Sequence, residues 1–456
     1  MESITFFLEK SIKKEEDDIK NEENKINIAN QTINKAKQKI INLKKNIEIV
    51  NILKQFKCKI NESDLKILFD DDKVYECAPG IICKGFTFLH KIVLLTKKYS
   101  RLNNFLIEYL KICDNVNETN EAKWSALHLA SRHSRTKSSE KTVKILLDAG
   151  LDINLRTQKD YTPLENAIVN SSGTSTDETV RIFINHIMNQ KNPQIYLDAQ
   201  DKQNYSYLHH AIDSCEKSSS LETIRILIKS GINLNLKTNL GSNAAQIAAM
   251  SLKTCLIEEI FMMLIDAGID LNSQNNNGNT VLHTTIICFK NHQNEEIIKL
   301  LLNSNIDINL QNKNGNTALH AVISSIEEPL LLEEILLLFL NCPNINVNLQ
   351  NIQGKTPLHL LIEKKNYFII KKFINICIGI DINIKDNDNK TALEYLTKDI
   401  QNIIMLQNII ETECLICFDV THTIQCKSKH NICDKCLFKT IKNDKIKCTF
   451  CLQDYN

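Results

Sequence analysis

Seven cysteines and a histidine crowd the end of the chain: Cys414, Cys417, Cys426, His430, Cys433, Cys436, Cys448 and Cys451. Thiolate sulfur and imidazole nitrogen are the donors of tetrahedral zinc, and a Cys-x-x-Cys pair reaches one ion through a tight turn. Eight donors complete two coordination shells, so the segment is expected to bind two Zn2+ ions. Spacing alone leaves open whether the two sites follow one another or interleave, and His422 rivals His430 for the histidine position. A tail this short cannot bury enough apolar surface to fold unaided, whereas structural zinc supplies about 10–16 kcal/mol. Disulfides are the competing reading. They are disfavoured because the other nine of the 16 cysteines are scattered singly, as reduced thiols are in a reducing compartment.

The order Cys-Cys-Cys-His-Cys-Cys-Cys-Cys over residues 414–451 resembles the RING finger of ubiquitin ligases. The resemblance implies interleaved ligands: Cys414, Cys417, Cys433 and Cys436 on one ion, and Cys426, His430, Cys448 and Cys451 on the other. It also implies that Ile416 and Phe450 contact a ubiquitin-conjugating enzyme charged with ubiquitin. No covalent intermediate on this chain is implied, because acceleration would come from holding the thioester in reactive orientations. Three residues depart from the family pattern: Thr440 where many members carry Trp, Thr449 for the frequent Pro, and Leu452 for the basic residue that pins ubiquitin.

Such a tail needs something to carry it. From residue 85 onward a four-residue box recurs nine times, beginning at Thr87, Ser125, Thr162, Ser206, Asn243, Thr280, Thr317, Thr356 and Thr391. Thr-Ala-Leu-His at 317–320 and Thr-Pro-Leu-His at 356–359 are its full forms. A hydroxyl caps the first helix, a small residue or Pro suits its first turn, and Leu faces the core. The box resembles that of the ankyrin repeat, a resemblance covering about two thirds of the chain. It implies an α-solenoid that presents a surface to a protein substrate, with His90, His128, His209, His283, His320 and His359 tying neighbouring loops together. The copy at Asn243 lacks both Leu and His and is expected to be distorted.

A second phrase, Asp-Ala-Gly-Leu-Asp-Ile-Asn at 148–154, follows each second helix. Gly150, Gly231, Gly268 and Gly379 suit a left-handed helix end, and Asn305 and Asn344 are expected to substitute there. From the Asn of this phrase to the box is always eight residues, as from 154 to 162 and from 272 to 280. The finger between repeats therefore has fixed length. Ser-rich stretches such as 131–140 and 171–178 read as enlarged loops on the opposite edge.

Ahead of the repeats, Ile12, Ile19, Ile26, Ile33, Ile40 and Ile47 stand seven residues apart, a heptad seam suited to a parallel homodimer through residues 12–50. One long helix folded back on the chain is the competing reading. The expected order is a coiled-coil helix over 1–56, a connecting segment over 57–84, repeats over 85–411 and a small α+β cross-braced two-zinc domain over 412–456. The class is mainly α.

Lys+Arg 55 against Asp+Glu 54 leaves a net charge of +1 over 456 residues, so no global field draws nucleic acid or membrane. Lysines outnumber acids in the tail, yet scattered lysine on a small domain reads as a solvated face, and no nucleic-acid role is expected. No export leader or membrane span stands out, so an intracellular, cytoplasmic location is expected. Abundant Ile, Asn and Lys reads as coding from an AT-rich genome. These features point to a RING-type ubiquitin ligase that recruits substrate through its repeats. The alternative is a non-catalytic ankyrin scaffold or adaptor with a structural zinc domain.

Overall fold

A computed structural model describes residues 84–401, apart from 216, 252–255, 293–294, 378 and 399–400, together with single positions between 20 and 68 and five short strands. The described residues are mainly helical. They fall into two compact units, one of residues 1–166 with 174–182 and one of residues 167–173 with 183–456.

The recurring box makes its helices by capping them. The hydroxyl of Thr317 accepts from the backbone N–H of His320, while His320 Nδ1 accepts from the Thr317 N–H at 3.2 Å. This reciprocal arrangement satisfies donors that a helix N-terminus otherwise leaves open. The same box opens the first helix of a repeat at Thr87, Ser125, Ser206 and Thr356. Acidic residues do the same work at Glu165, whose carboxylate takes the Thr162 N–H, and at Glu394 on Thr391.

In the first unit, α1 (Phe88–Val93) pairs with α2 (Leu102–Ile112), and α3 (Ala126–Arg132) with α4 (Glu140–Asp148). First helices pack on first helices, α1 on α3, and second on second, α2 on α4. Helices α5 (Pro163–Ile168) and α6 (Asp177–Met188) run through the division between the units.

The second unit repeats the rule. After α7 (Pro193–Leu197), the first helices α8 (Tyr207–Ser214), α10 (Ala244–Ser251), α12 (Val281–His292), α14 (Ala318–Ser325) and α16 (Pro357–Glu363) pack in succession. So do the second helices α9 (Leu221–Lys229), α11 (Leu256–Asp266), α13 (Glu295–Leu302), α15 (Pro329–Leu340) and α17 (Tyr367–Ile376). The box leucines Leu208, Leu282, Leu319 and Leu358 are buried between repeats. Truncating one to Ala costs about 2–5 kcal/mol in such a setting.

The copy at Asn243 is not distorted. Asn243 Oδ1 accepts from the Gln246 N–H at 3.1 Å and Gln246 Oε1 from the Asn243 N–H at 3.0 Å, so two amides rebuild the Thr–His exchange. Ala245 fills the Leu position without exposure.

The helix ends follow the expectation at glycine and depart from it at asparagine. Gly150, Gly231, Gly268 and Gly379 have φ between 78° and 82°. Asn305 and Asn344 are not left-handed. There the chain turns by other means: Ile306 N–H donates to Ser304 O at 2.8 Å, and Ile345 N–H to Cys342 O across Pro343. The helix closes before the aligned asparagine is reached, which leaves that residue no strained conformation to adopt.

The Ser-rich loops are the second departure, because they are buried and not merely polar excursions. Thr142 Oγ1, with one proton to share, lies 2.8 Å from both Thr96 Oγ1 and Asn103 Oδ1, and Thr96 and Ser138 hydroxyls lie 3.3 Å apart. One repeat on, Thr179 donates to Ser134 at 2.6 Å. In the second unit Ser171 and Ser219 pair at 3.3 Å. Each enlarged loop is thus pinned to its neighbour by hydroxyls.

The heptad isoleucines lie outside the described residues. Described positions 20, 31, 34, 35, 37, 49, 51 and 53 are helical. Ile49 and Leu53, one turn apart, are buried. Strands β1 (Tyr75–Ala78) and β2 (Ile81–Cys83) form a hairpin. Strands β3 (Ile410–Glu413), β4 (Val420–Gln425) and β5 (Asn431–Cys433) form an antiparallel sheet in that order.

Candidate binding surface

Each finger ends in a turn whose last residue, two before the box, is left-handed. Gly85, Lys123, Asp160, Asn204, Gly241, Gly278, Gly315, Gly354 and Asn389 all have positive φ. Fingers pack too closely for a side chain at the central glycines. A Cβ on Gly278 would lie 2.6 Å from Lys313 N, and one on Gly315 2.8 Å from Ile352 N.

That closeness lets backbone and side-chain amides lace one finger to the next. Lys313 N–H donates to Asn277 O, and Ile352 N–H to Asn314 O, each at 3.0 Å. Gln274 Nε2 donates to Gly278 O in its own finger and to Gln311 O in the next; Gln311 repeats this toward Gly315 and Gln350. Asn272, the residue eight before the box, accepts from Asp307 N–H, and Asn309 accepts from Asn346 N–H, both at 2.8 Å. Asparagine and glutamine here are structural partners at fixed register, not only a mark of coding bias. A Gln recurring six residues before the box, at 200, 274, 311 and 350, was the signal in the sequence that could have revealed them.

The box histidines carry the tie deeper. Nε2 of His90, His128, His283, His320 and His359 bonds the carbonyls of Trp124, Tyr161, Asn316, Lys355 and Lys390 in the following fingers, over 2.8–3.3 Å. In the Asn243 copy, Gln246 Nε2 donates to Asn279 O at 2.6 Å and to Ser273 O at 3.3 Å, taking over the histidine's reach. Burial lowers the pKa of His90, His128, His209 and His320 to about 4, and lowers that of His283. His90, His128, His283, His320 and His359 make the tie that the box resemblance implied; His209 departs from it, its buried Nε2 meeting no hydrogen-bond partner among the described residues.

Within the second unit the laced fingers wall an open groove of about 420 Å³. Its floor comes from α12 and α14, at Ile287, Ala321, Ser324 and Ser325; its wall comes from Asn277, Asn279, Asn312, Lys313, Asn314 and Asn316. Ile287 is 47% exposed, and the finger tips add Leu240 and Ile352 at 70% and 65%. Neutral amides around exposed apolar side chains suit a protein surface: the anchors gain by burial, and the amides already bonded at Asn279, Asn312 and Asn316 lose little on desolvation.

Among the described residues no three His, Cys, Asp or Glu side chains group as a metal site. Cys414, Cys417, Cys426, His430, Cys436, Cys448, Cys451, Ile416 and Phe450 lie outside the described residues, and Cys433 is described in its backbone alone. In that backbone, β4 and β5 pair as Thr423 with Cys433 and Gln425 with Asn431. Cys113, Cys215, Cys288, Cys342 and Cys377 are free thiols. No described helix is long and apolar enough to cross a membrane.

A solved structure of the ankyrin repeat domain of Bcl-3, a member of the IkappaB protein family, is similar at 20% identity. It covers 54% of this chain and 99% of that one, with a TM-score of 0.42. An ankyrin repeat protein of Acanthamoeba polyphaga mimivirus, L86, is 27% identical over 38% of this chain. The chain spans 31% of that relative's length. Residues 137–238 and 245–332 match the family model described as ankyrin repeats (3 copies), and the box, the fingers and the helix pairs described above agree with it: this part of the chain carries ankyrin repeats.

Proposed function

We propose that this chain is a protein-binding scaffold that holds its partner against the fingers and first helices of the repeats. The groove carries the reading, because Ile287 stands exposed on a floor beside the amides of Asn279, Asn312 and Asn316, which neighbouring fingers and turns already hold. Affinity-purified partners of the full chain test it. Ile287→Glu should release any partner held at this surface while leaving the helical content unchanged. Partners retained by that variant at full affinity would move the site elsewhere.

Beyond the scaffold, the C-terminal segment makes the chain a RING-type ubiquitin ligase that presents the held partner for modification. The donor set supports this: Cys414, Cys417, Cys433 and Cys436 would hold one zinc ion, and Cys426, His430, Cys448 and Cys451 the other. Zinc would supply the folding free energy that the short segment lacks. The β4–β5 pairing agrees with it, since Gln425 and Asn431 flank Cys426 and His430 in the sequence. Ile416 and Phe450 would then meet the conjugating enzyme. Autoubiquitination of the full chain with a panel of conjugating enzymes is the test, and Ile416→Ala should abolish transfer while metal analysis still finds two zinc ions. A zinc-loaded chain inactive with every enzyme leaves the adaptor, the reading that Leu452 in place of a basic residue favours.

A further inference from the structure

The sequence contains two Asn–Gly pairs, Asn277-Gly278 and Asn314-Gly315, and the fold puts them at equivalent finger tips on the wall of the groove. Asparagine followed by glycine is the pair most prone to cyclise, because no side chain on the following residue hinders approach of its backbone nitrogen. Both asparagines are exposed. Their neighbours' amides are engaged: Asn275 Oδ1 takes two backbone N–H groups, Asn276 donates to Asn239 O, and Asn312 donates to Asn279 Oδ1.

We propose that Asn277 and Asn314 are self-modification sites that rewrite the groove as the protein ages. The Gly278 nitrogen, once deprotonated, attacks Asn277 Cγ; the new N–Cγ bond closes a succinimide, and the Cγ–Nδ2 bond breaks with loss of ammonia. Water then opens the ring at either carbonyl, leaving aspartate or isoaspartate. No oxidant or enzyme is needed. In the folded chain the Gly278 and Gly315 N–H groups donate to Asn275 O and Asn312 O at 2.8 Å, so the turn must open for each event, which makes the process slow.

Two consequences follow. Among the described residues lining this groove Lys313 alone is charged, and two new carboxylates outweigh its ammonium. Isoaspartate also lengthens the backbone by one methylene, which displaces the carbonyls that accept from Lys313 N–H and Ile352 N–H. The first consequence rests on the groove being the partner site; the chemistry does not.

The full chain is incubated at neutral and mildly alkaline pH, digested, and analysed by mass spectrometry that separates aspartate from isoaspartate. Conversion is expected at 277 and 314 ahead of Asn276, Asn312 and Asn351, accelerating with hydroxide, and Asn277→Gln should silence its own site alone. Hydrogen exchange at Lys313 and Ile352 should quicken as conversion proceeds. Equal conversion across the finger asparagines, or conversion confined to urea-unfolded chain, overturns the proposal and leaves the binding reading untouched. Partner release by Ile287→Glu, in turn, has no bearing on this chemistry.

Discussion

The two edges of a repeat are held by different chemistry. At the finger edge, amides and imidazoles join one turn to the next over separations of up to 39 residues, 37 from Gln274 to Gln311. At the loop edge, hydroxyls join neighbours over separations of 41 to 49 residues, and the pairs are local to the enlarged loops. Fixed length permits a ladder; variable length permits only staples. The contrast teaches that the fingers set the register of the array, while the loops absorb its irregularities.

Acid should separate the edges most sharply. The folded pKa values near 4 lie below the ordinary 6.5, so between those limits the unfolded chain binds more protons. Stability is then complete above about pH 6.5 and drains away as the pH falls toward 4. At about 3 kcal/mol per ring, the four histidines together lose on the order of 10 kcal/mol. Urea titrations at stepped pH measure it, and hydrogen exchange should open finger amides before loop amides. A flat profile from pH 7 to pH 4 would remove the histidines from the account.

Next in size is Gln246→Ala, which strands the Asn243 N–H and the carbonyls of Ser273 and Asn279 in buried surroundings. A loss of about 3 kcal/mol is expected by urea denaturation. Gln246→His should recover most of it by restoring the usual box. Gly278→Ala imposes both a left-handed alanine and a contact with the next finger, for about 2 kcal/mol. At the loop edge, Thr142→Val keeps shape and removes the hydroxyl contacts to Ser139, Thr96 and Asn103, for about 1 kcal/mol, and should leave finger exchange unaltered.

The sequence reveals what a fixed spacing can reveal. The boxes, the finger length and the glycine helix ends are all visible as periods, and the structure places them as expected. In the amide ladder only the Gln six residues before the box showed a period; its asparagines showed as abundance, because asparagine serves caps, turns and solvent equally well and its partner lies in the neighbouring repeat. The buried serines of 134, 138, 171 and 175 read as surface, since hydroxyls usually face water and only a neighbour of matching length draws them inside. Asn243 and Gln246 hid their equivalence to Thr and His because the shared property is donor geometry rather than residue type. The zinc ligands lie at the other extreme: their spacing speaks plainly, and metal analysis is the observation that bears on it.

From Ser206 to Thr317 successive boxes stand 37 residues apart, and each finger offers its successor the same donors and acceptors that it takes from its predecessor. A gene that gained or lost one such cassette by unequal recombination would present the flanking repeats with familiar neighbours at both seams. The array can therefore change its reach from one generation of descendants to another without having to invent a new way to fold.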